Sequence, residues 1–281
     1  MAKKVLLFGY TGKLGRALHK ALENDFEVIA KNTSDFDAMD FASADKLIDA
    51  TQPDIIINPV AYLGIDACEQ NPYETSVLNT LFPQHLARRC NEIGASMVQF
   101  STESVFSGKL KRVVTEEDTP DPINNYGFTK YMSEVVVRDT LEAHYTFRLP
   151  VLFGENPRRN QFVEKMLDMI REGKELGIAD DILTAPSYAK DIAERIATML
   201  KDEAPYGLYH LANEGEGTLY DLMSEVLKCL DMEATIRRAS MNDFPSVGNK
   251  NTITPLKMTK TPPLRPWREA VAAYCEEFES D

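Results

Sequence analysis

The sequence predicts an α/β protein with a parallel, doubly wound sheet. Short apolar runs alternate with helical patterns through the first 150 residues, and that alternation builds a parallel sheet with helices on both faces. The first apolar run leads straight into a glycine-spaced turn and a helix. Further on, Tyr126 and Lys130 stand four residues apart in a helical pattern, which sets both side chains on one face.

The elements follow in order. Val5-Leu6-Leu7-Phe8 has no polar alternation, as expected of a strand buried on both faces. It is followed by Gly9-Tyr10-Thr11-Gly12-Lys13-Leu14-Gly15, and then by Leu14, Leu18 and Leu22 with Ala17 and Ala21 at a helical period. Glycines let the backbone approach a pyrophosphate, and a helix N-terminus offers free N–H groups and a positive dipole end. The spacing is Gly-x-x-Gly-x-x-Gly rather than the common Gly-x-Gly-x-x-Gly. A glycine triplet alone would also suit a plain turn; the flanking strand and helix point to a dinucleotide corner. Further strands are expected at 26–30, 55–58, 96–100 and 145–148, with helices near 13–24, 43–51, 75–94 and 126–142. Ser101 and Thr102 fall just past the strand at 96–100, where open α/β sheets bind ligands. Alone they would only cap or turn the chain. The stretch 108–125 is polar and proline-bearing and reads as a surface excursion. Beyond Pro150, helices are expected at 160–172, 189–201, 218–230 and 267–278, with proline and glycine between them.

Tyr126 and Lys130 are the candidate chemical pair, although a lone Tyr-x-x-x-Lys arises often by chance and as an exposed helical pair would mean little. A tyrosine hydroxyl titrates near ~10, too high for easy proton exchange at neutral pH. A lysine ammonium close by favours the phenolate and makes a usable general acid or base.

Composition limits the alternatives. The chain has 281 residues, 43% of them hydrophobic, enough for one large α/β unit or two closely joined domains. A net charge of −13 argues against unassisted binding to nucleic acid or an anionic membrane. No apolar run approaches a membrane span, and Met1-Ala2-Lys3-Lys4 leads directly into a core strand, without a signal-peptide pattern. Cys68, Cys90, Cys229 and Cys275 show neither a Cys-x-x-Cys pair nor metal-ligand spacing. Cys90 and Cys229 fit apolar helix faces, and the simplest expectation is a reduced, cytoplasmic protein without a metal. His210, between Tyr209 and Leu211 in an apparent strand, reads as structural.

The glycine corner, Ser101-Thr102, Tyr126-Gly127 and Thr129-Lys130 together resemble the extended short-chain dehydrogenase/reductase superfamily, and most of all its dTDP-4-dehydrorhamnose reductase family. The resemblance spans nearly the whole chain. It takes in Asp40-Phe41, Asn58, Ala61-Tyr62, Asp66-Ala67-Cys68-Glu69, Asn79, Arg148, Ala185-Pro186-Ser187 and Arg265-Pro266-Trp267. It implies a Rossmann-type NAD(P)-binding domain over 1–150, with the region about 180–205 returning to it. Residues 151–281 would form a smaller C-terminal α/β lobe for a sugar nucleotide, with 246–263 looping near the nucleotide mouth.

The implied reaction is reduction of a nucleotide-linked 4-keto sugar by NADPH or NADH, in surface polysaccharide or deoxysugar synthesis. Tyr126 would donate the proton, Thr102 would position the carbonyl, and Lys130 would lower the tyrosine pKa and hold the nicotinamide ribose. Cofactor contacts are expected from Gly9, Thr11, Gly12, Lys13, Leu14, Gly15, Ala61 and Tyr62, with Asp40 and Phe41 beside the adenine. No acidic residue ends the second strand to hold a ribose 2′-hydroxyl, and Lys31 could meet a 2′-phosphate; NADPH is therefore favoured, with NADH close behind. The partners implied are the sugar nucleotide and, for some members, a second copy in a homodimer.

Departures from the family pattern fall on the sugar side. Glu103 and Ser104 replace an Asp-Tyr pair, Val151 lies where the segment lacks its usual aromatic, and 245–250 departs from an Arg-Pro-x-Asn stretch. Glu103, Ser104 and Val151 are thus expected to read the substrate. Ala17 and Lys190 occupy places where some members bridge a dimer through magnesium, so no such metal is expected. Two other readings stay open: a dinucleotide-binding regulatory subunit resembling the methionine adenosyltransferase β subunit, and an epimerase or dehydratase using Glu103.

Overall fold

The computed structural model describes residues 2–157 and 161–278. Its first part runs β1 (Lys4–Phe8), α1 (Lys13–Leu22), β2 (Glu27–Lys31), α2 (Phe41–Thr51), β3 (Ile55–Asn58), α3 (Ile65–Gln70), α4 (Pro72–Ser76), a π-helical turn (Val77–Leu81) and α5 (Phe82–Ile93). It continues through β4 (Ser96–Thr102), α6 (Asn125–Thr140) and β5 (His144–Leu149). The second part holds β6 (Leu152–Phe153), α7 (Phe162–Arg171), β7 (Leu176–Ala179), β8 (Leu183–Thr184), β9 (Ser187–Tyr188) and α8 (Ala189–Lys201). The chain then completes β10 (Gly207–His210), β11 (Gly217–Thr218), α9 (Leu219–Cys229), β12 (Ile236–Ala239) and α10 (Trp267–Phe278).

The main sheet has six parallel strands in the order β2-β1-β3-β4-β5-β10. β1 lies between β2 and β3, so the strand order reverses there and a crevice opens at the carboxyl ends. The apolar runs earn their central place: every residue of β3 is buried, as are Val5, Leu6, Leu7 and Phe8 of β1. Among the polar residues of this layer, Asn58 is paired, donating to Gln99 Oε1 at 2.9 Å. After the second-part elements, α8 packs Ile192, Ile196 and Leu200 into the core shared with Leu18 and Leu22 of α1. β10 then adds the last strand beside β5.

The remaining elements enclose a second core around Phe153, Val163, Leu167, Leu222, Val226 and Trp267. β7 pairs with β12, β6 with β9, and β8 with β11. The segment 246–263 has no helix or strand and is held by Asp66, whose Oδ1 accepts from the backbone of Val247 (2.9 Å) and Gly248 (3.2 Å). Asn124 Nδ2 also donates to Asn249 O at 2.8 Å. The excursion at 108–125 is less free than its polarity suggested, because Val114 is buried and bridged to Leu256. The helix expected at 160–172 begins at Phe162, and residue 160 lies outside the described residues. The pattern at 75–94 is a helix with a π-turn inside it. Apolar periodicity cannot reveal that one-residue offset. Among the described residues no helix is long and apolar enough to cross a membrane.

Candidate active site

The glycine corner is built by contacts that only glycine permits. Gly9 has φ +64°, and a Cβ on Gly15 would lie 2.4 Å from Gly9 O and 2.7 Å from Tyr10 Cα, so α1 can start this close to β1 only without that side chain. Gly12 differs: a Cβ there would meet nothing nearer than Gly9 O at 3.6 Å. The fold itself leaves room at Gly12. A side chain there would enter the cleft, so the missing atom serves an occupant of the cleft, the cradle a pyrophosphate needs.

α6 supplies the other wall. Asn124 caps it, Oδ1 accepting from Gly127 N at 2.8 Å, and Glu69 receives both the backbone and side-chain N–H of Asn125 at 2.8 Å each. A Cβ on Gly127 would fall 2.1 Å from Ser104 O. Glycine after Tyr126 therefore lets the helix press onto the segment that follows β4. That contact brings the Thr102 hydroxyl into hydrogen bonding with Tyr126. Asn79, from the π-turn, donates to Tyr62 O (3.1 Å) and Thr129 Oγ1 (3.2 Å) and accepts from Tyr62 N (2.8 Å). The loop after β3 is thereby fixed against the same helix.

Gly9, Gly12, Lys13, Leu14, Gly15, Ala61, Thr102, Tyr126 and Lys130 line one cleft of about 270 Å³, with Leu149, Pro150, Leu152 and Gln161 on its far side. The predicted catalytic residues and most of the predicted cofactor corner thus meet in one place. Thr11 sits on the rim of that turn, half-buried. Lys31, Asp40, Phe41 and Tyr62 do not line the cleft. Lys31 pairs with Asp35 at 3.6 Å, Asp40 caps α2, and Phe41 stacks on His85 with ring centres 4.9 Å apart. Tyr62 faces Asn79 through its backbone.

Three expectations need correction. Lys13 borders the cleft, but its ammonium is buried against Glu164 of α7 (3.1 Å) and Leu152 O (3.0 Å); it ties α1 to the second core. Glu103 is not on the cleft wall. Its carboxyl is buried, accepting from Thr184 Oγ1 at 2.6 Å and from Thr254 and the Val151 backbone. Burial pushes it up to about 8. Ser104 and Val151 do not line the cleft either; their backbones are engaged, Ser104 N donating to Thr102 Oγ1 (3.1 Å) and Val151 O accepting from Ser187 N (3.0 Å).

The third correction concerns charge. Burial pushes Tyr126 up to about 12, opposed by the Thr102 hydrogen bond, with Cys68 and Glu103 adding repulsion. Burial also pushes Lys130 down to about 8, opposed by Glu134 and Cys68. For both groups burial outweighs the neighbours that oppose it, Thr102 for the tyrosine and Glu134 with Cys68 for the lysine. Cys68, whose thiol is held at Tyr62 O (3.5 Å), is a neighbour of the pair that spacing along the chain could not reveal. His210 is structural as expected, buried in β10 and pushed down to about 4 by burial and Arg148.

A parallel sheet with a glycine corner at its switch point and a Thr–Tyr–Lys cluster across the crevice defines the extended short-chain dehydrogenase/reductase class. The family model for the RmlD substrate binding domain matches residues 3–280. The chain belongs to this family, that of the dTDP-4-dehydrorhamnose reductases. It is 31% identical to the dTDP-4-dehydrorhamnose reductase of Escherichia coli (strain K12), over 93% of this chain and 87% of that protein. It is 29% identical to the spore coat polysaccharide biosynthesis protein SpsK of Bacillus subtilis (strain 168), over 99% of this chain and 98% of that one. The crystal structure of a dTDP-4-dehydrorhamnose reductase from Clostridium acetobutylicum superposes with a TM-score of 0.92 at 27% identity, covering 98% of this chain and 99% of that chain.

Proposed function

We propose that the protein reduces a nucleotide-linked 4-keto sugar with NADPH or NADH, in the cytoplasm, for polysaccharide or deoxysugar synthesis. The observation that carries this reading is the convergence of Thr102, Tyr126 and Lys130 on the cleft that Gly12 keeps open. Residues 1–150, with the returning α8 and β10, are assigned to the cofactor, and the second core to the sugar nucleotide. The glycine corner and the N-terminus of α1 would hold the pyrophosphate. When bound, the reduced nicotinamide supplies a hydride to the carbonyl carbon.

The chain's own part is proton and charge. Tyr126, pushed up to about 12, keeps its proton at neutral pH and donates it to the oxygen that becomes alkoxide-like. Thr102 donates a hydrogen bond that orients that oxygen and then stabilises the phenolate left behind. Lys130 on the same helix face offsets the new negative charge. Hydride on carbon and proton on oxygen together give the alcohol. A dehydratase would need acid–base carboxylates beside the carbonyl, and Glu103 is turned away from the cleft onto Thr184.

The test is a panel of nucleotide-linked 4-keto sugars with each reduced cofactor, following loss of nicotinamide absorbance. Tyr126→Phe should lower turnover by about 10²–10⁴ with the fold intact, and Gly12→Val should abolish cofactor binding in a folded protein. Silence across the panel with wild-type protein that binds cofactor would favour the regulatory-subunit reading. Chemistry without net cofactor oxidation would favour an epimerase.

A further inference from the structure

Lys130 is not the last functional residue on its helix face. One turn on, Glu134 occupies the i+4 position from Lys130 and i+8 from Tyr126, the same stripe of α6. Its carboxylate is buried and receives three donors: Arg148 Nε at 2.9 Å, Arg148 Nη2 at 2.7 Å and Ser101 Oγ at 2.5 Å. Each donor comes from a strand that shapes the cleft. Ser101 directly precedes Thr102 on β4, and Arg148 on β5 directly precedes Leu149 and Pro150 of the cleft wall. Arg148 is itself fixed, donating to His210 Nε2 at 3.4 Å and lying 5.0 Å from the centre of the Phe106 ring.

We propose that Glu134, clamped by Ser101 and Arg148 one helical turn from Lys130, is a positioning residue whose carboxylate acts on the Lys130 head group across that turn. Two groups beside Lys130 oppose the neutralising effect of its burial, Glu134 on its own helix and Cys68 on α3. Cys68 is itself pushed upward by burial and stays a neutral thiol, so Glu134 is the fixed negative charge. Tyr126, the remaining titratable neighbour on the face, is neutral until it gives up its proton. The clamp also explains its own geometry: a bidentate guanidinium and a hydroxyl leave the carboxylate no freedom to swing away from the lysine.

This inference rests on the reductase reading, so its decisive measurement does not use turnover. The Lys130 resonance of ¹³C-lysine-labelled protein, assigned by its absence in Lys130→Met, is titrated in wild type and in Glu134→Gln. Removing the charge should lower the midpoint of Lys130 by about one pH unit or more. Because Glu134→Gln strands Arg148 in the interior, Glu134→Leu/Arg148→Met, which removes both charges, serves as a second folded background and should show the same downward shift. An unmoved Lys130 midpoint in either folded variant overturns the proposal, whatever happens to stability. If the panel finds a substrate, the alkaline limb of kcat should move to lower pH in the same variants, and Glu134→Asp should restore part of it. A panel without turnover would overturn the reductase reading and leave the titration to decide this one.

Discussion

Two buried carboxylates flank the candidate site, and they differ in what faces them. Glu134 meets a guanidinium and a hydroxyl; Glu103 meets two hydroxyls and one amide and no cation. Burial costs both groups hydration. A bidentate arginine returns enough interaction to keep a carboxylate charged, whereas neutral donors return less. The first carboxylate is therefore bound to a cation on the chemical side of the cleft. The second is an uncharged peg at neutral pH, joining the end of β4 to the segments carrying Thr184, Thr254 and Val151.

The largest effect should come from removing the cation. Arg148→Met leaves Glu134 buried with only Ser101, and breaking a buried pair from one side costs about 3–5 kcal/mol. Urea unfolding at neutral pH measures it, and a loss below about 1 kcal/mol would show that water or another donor replaces Arg148. Glu103 should behave differently, with an effect that depends on pH. Its folded pKa, about 8, lies above the unfolded carboxylate value. The folded state therefore binds the extra proton, and stability attributable to Glu103 falls as pH rises from about 4.5 toward 8. Glu103→Gln removes that dependence, so its stability relative to wild type should improve by a few kcal/mol between pH 5 and pH 8. A relative stability that stays level over this range would mean that Glu103 is ionised in the fold.

The smallest effect tests a third carboxylate, Glu164, which meets Lys13 at 3.1 Å in the interior. Replacing a buried ion pair by apolar residues is often neutral, so Lys13→Met/Glu164→Leu should change stability by no more than about 1 kcal/mol. Cofactor affinity should also hold, because the Lys13 ammonium is spent on α7. A large drop in affinity would restore Lys13 to the cofactor contacts that its place in the glycine turn suggested.

Much of this was legible in the chain. Alternation of apolar runs and helical periods located β1 to β5 within a residue or two at most ends, because burial on both faces demands uninterrupted apolar residues. Tyr126 and Lys130 could be paired from spacing, since a helix converts four residues into one face. Apart from the strand around His210, the second part was legible as helices but not as strands, because two-residue pairings such as β6 with β9 leave no periodicity to read. The π-turn was invisible for the same reason.

What the sequence determined by itself was local: which segments are strands or helices, where glycine permits a close approach, and which residue types could share a helix face. Tertiary structure alone decided where each charge ends. Lys13 and Glu103 lie in the two stretches most like a binding motif, yet one is drawn to Glu164 and the other to Thr184, from segments more than 80 residues away in the chain. Glu134 acquires its clamp from two strands that its own helix cannot specify. Ionisation in an interior depends on which partners arrive to replace water, and that is fixed only when distant segments pack.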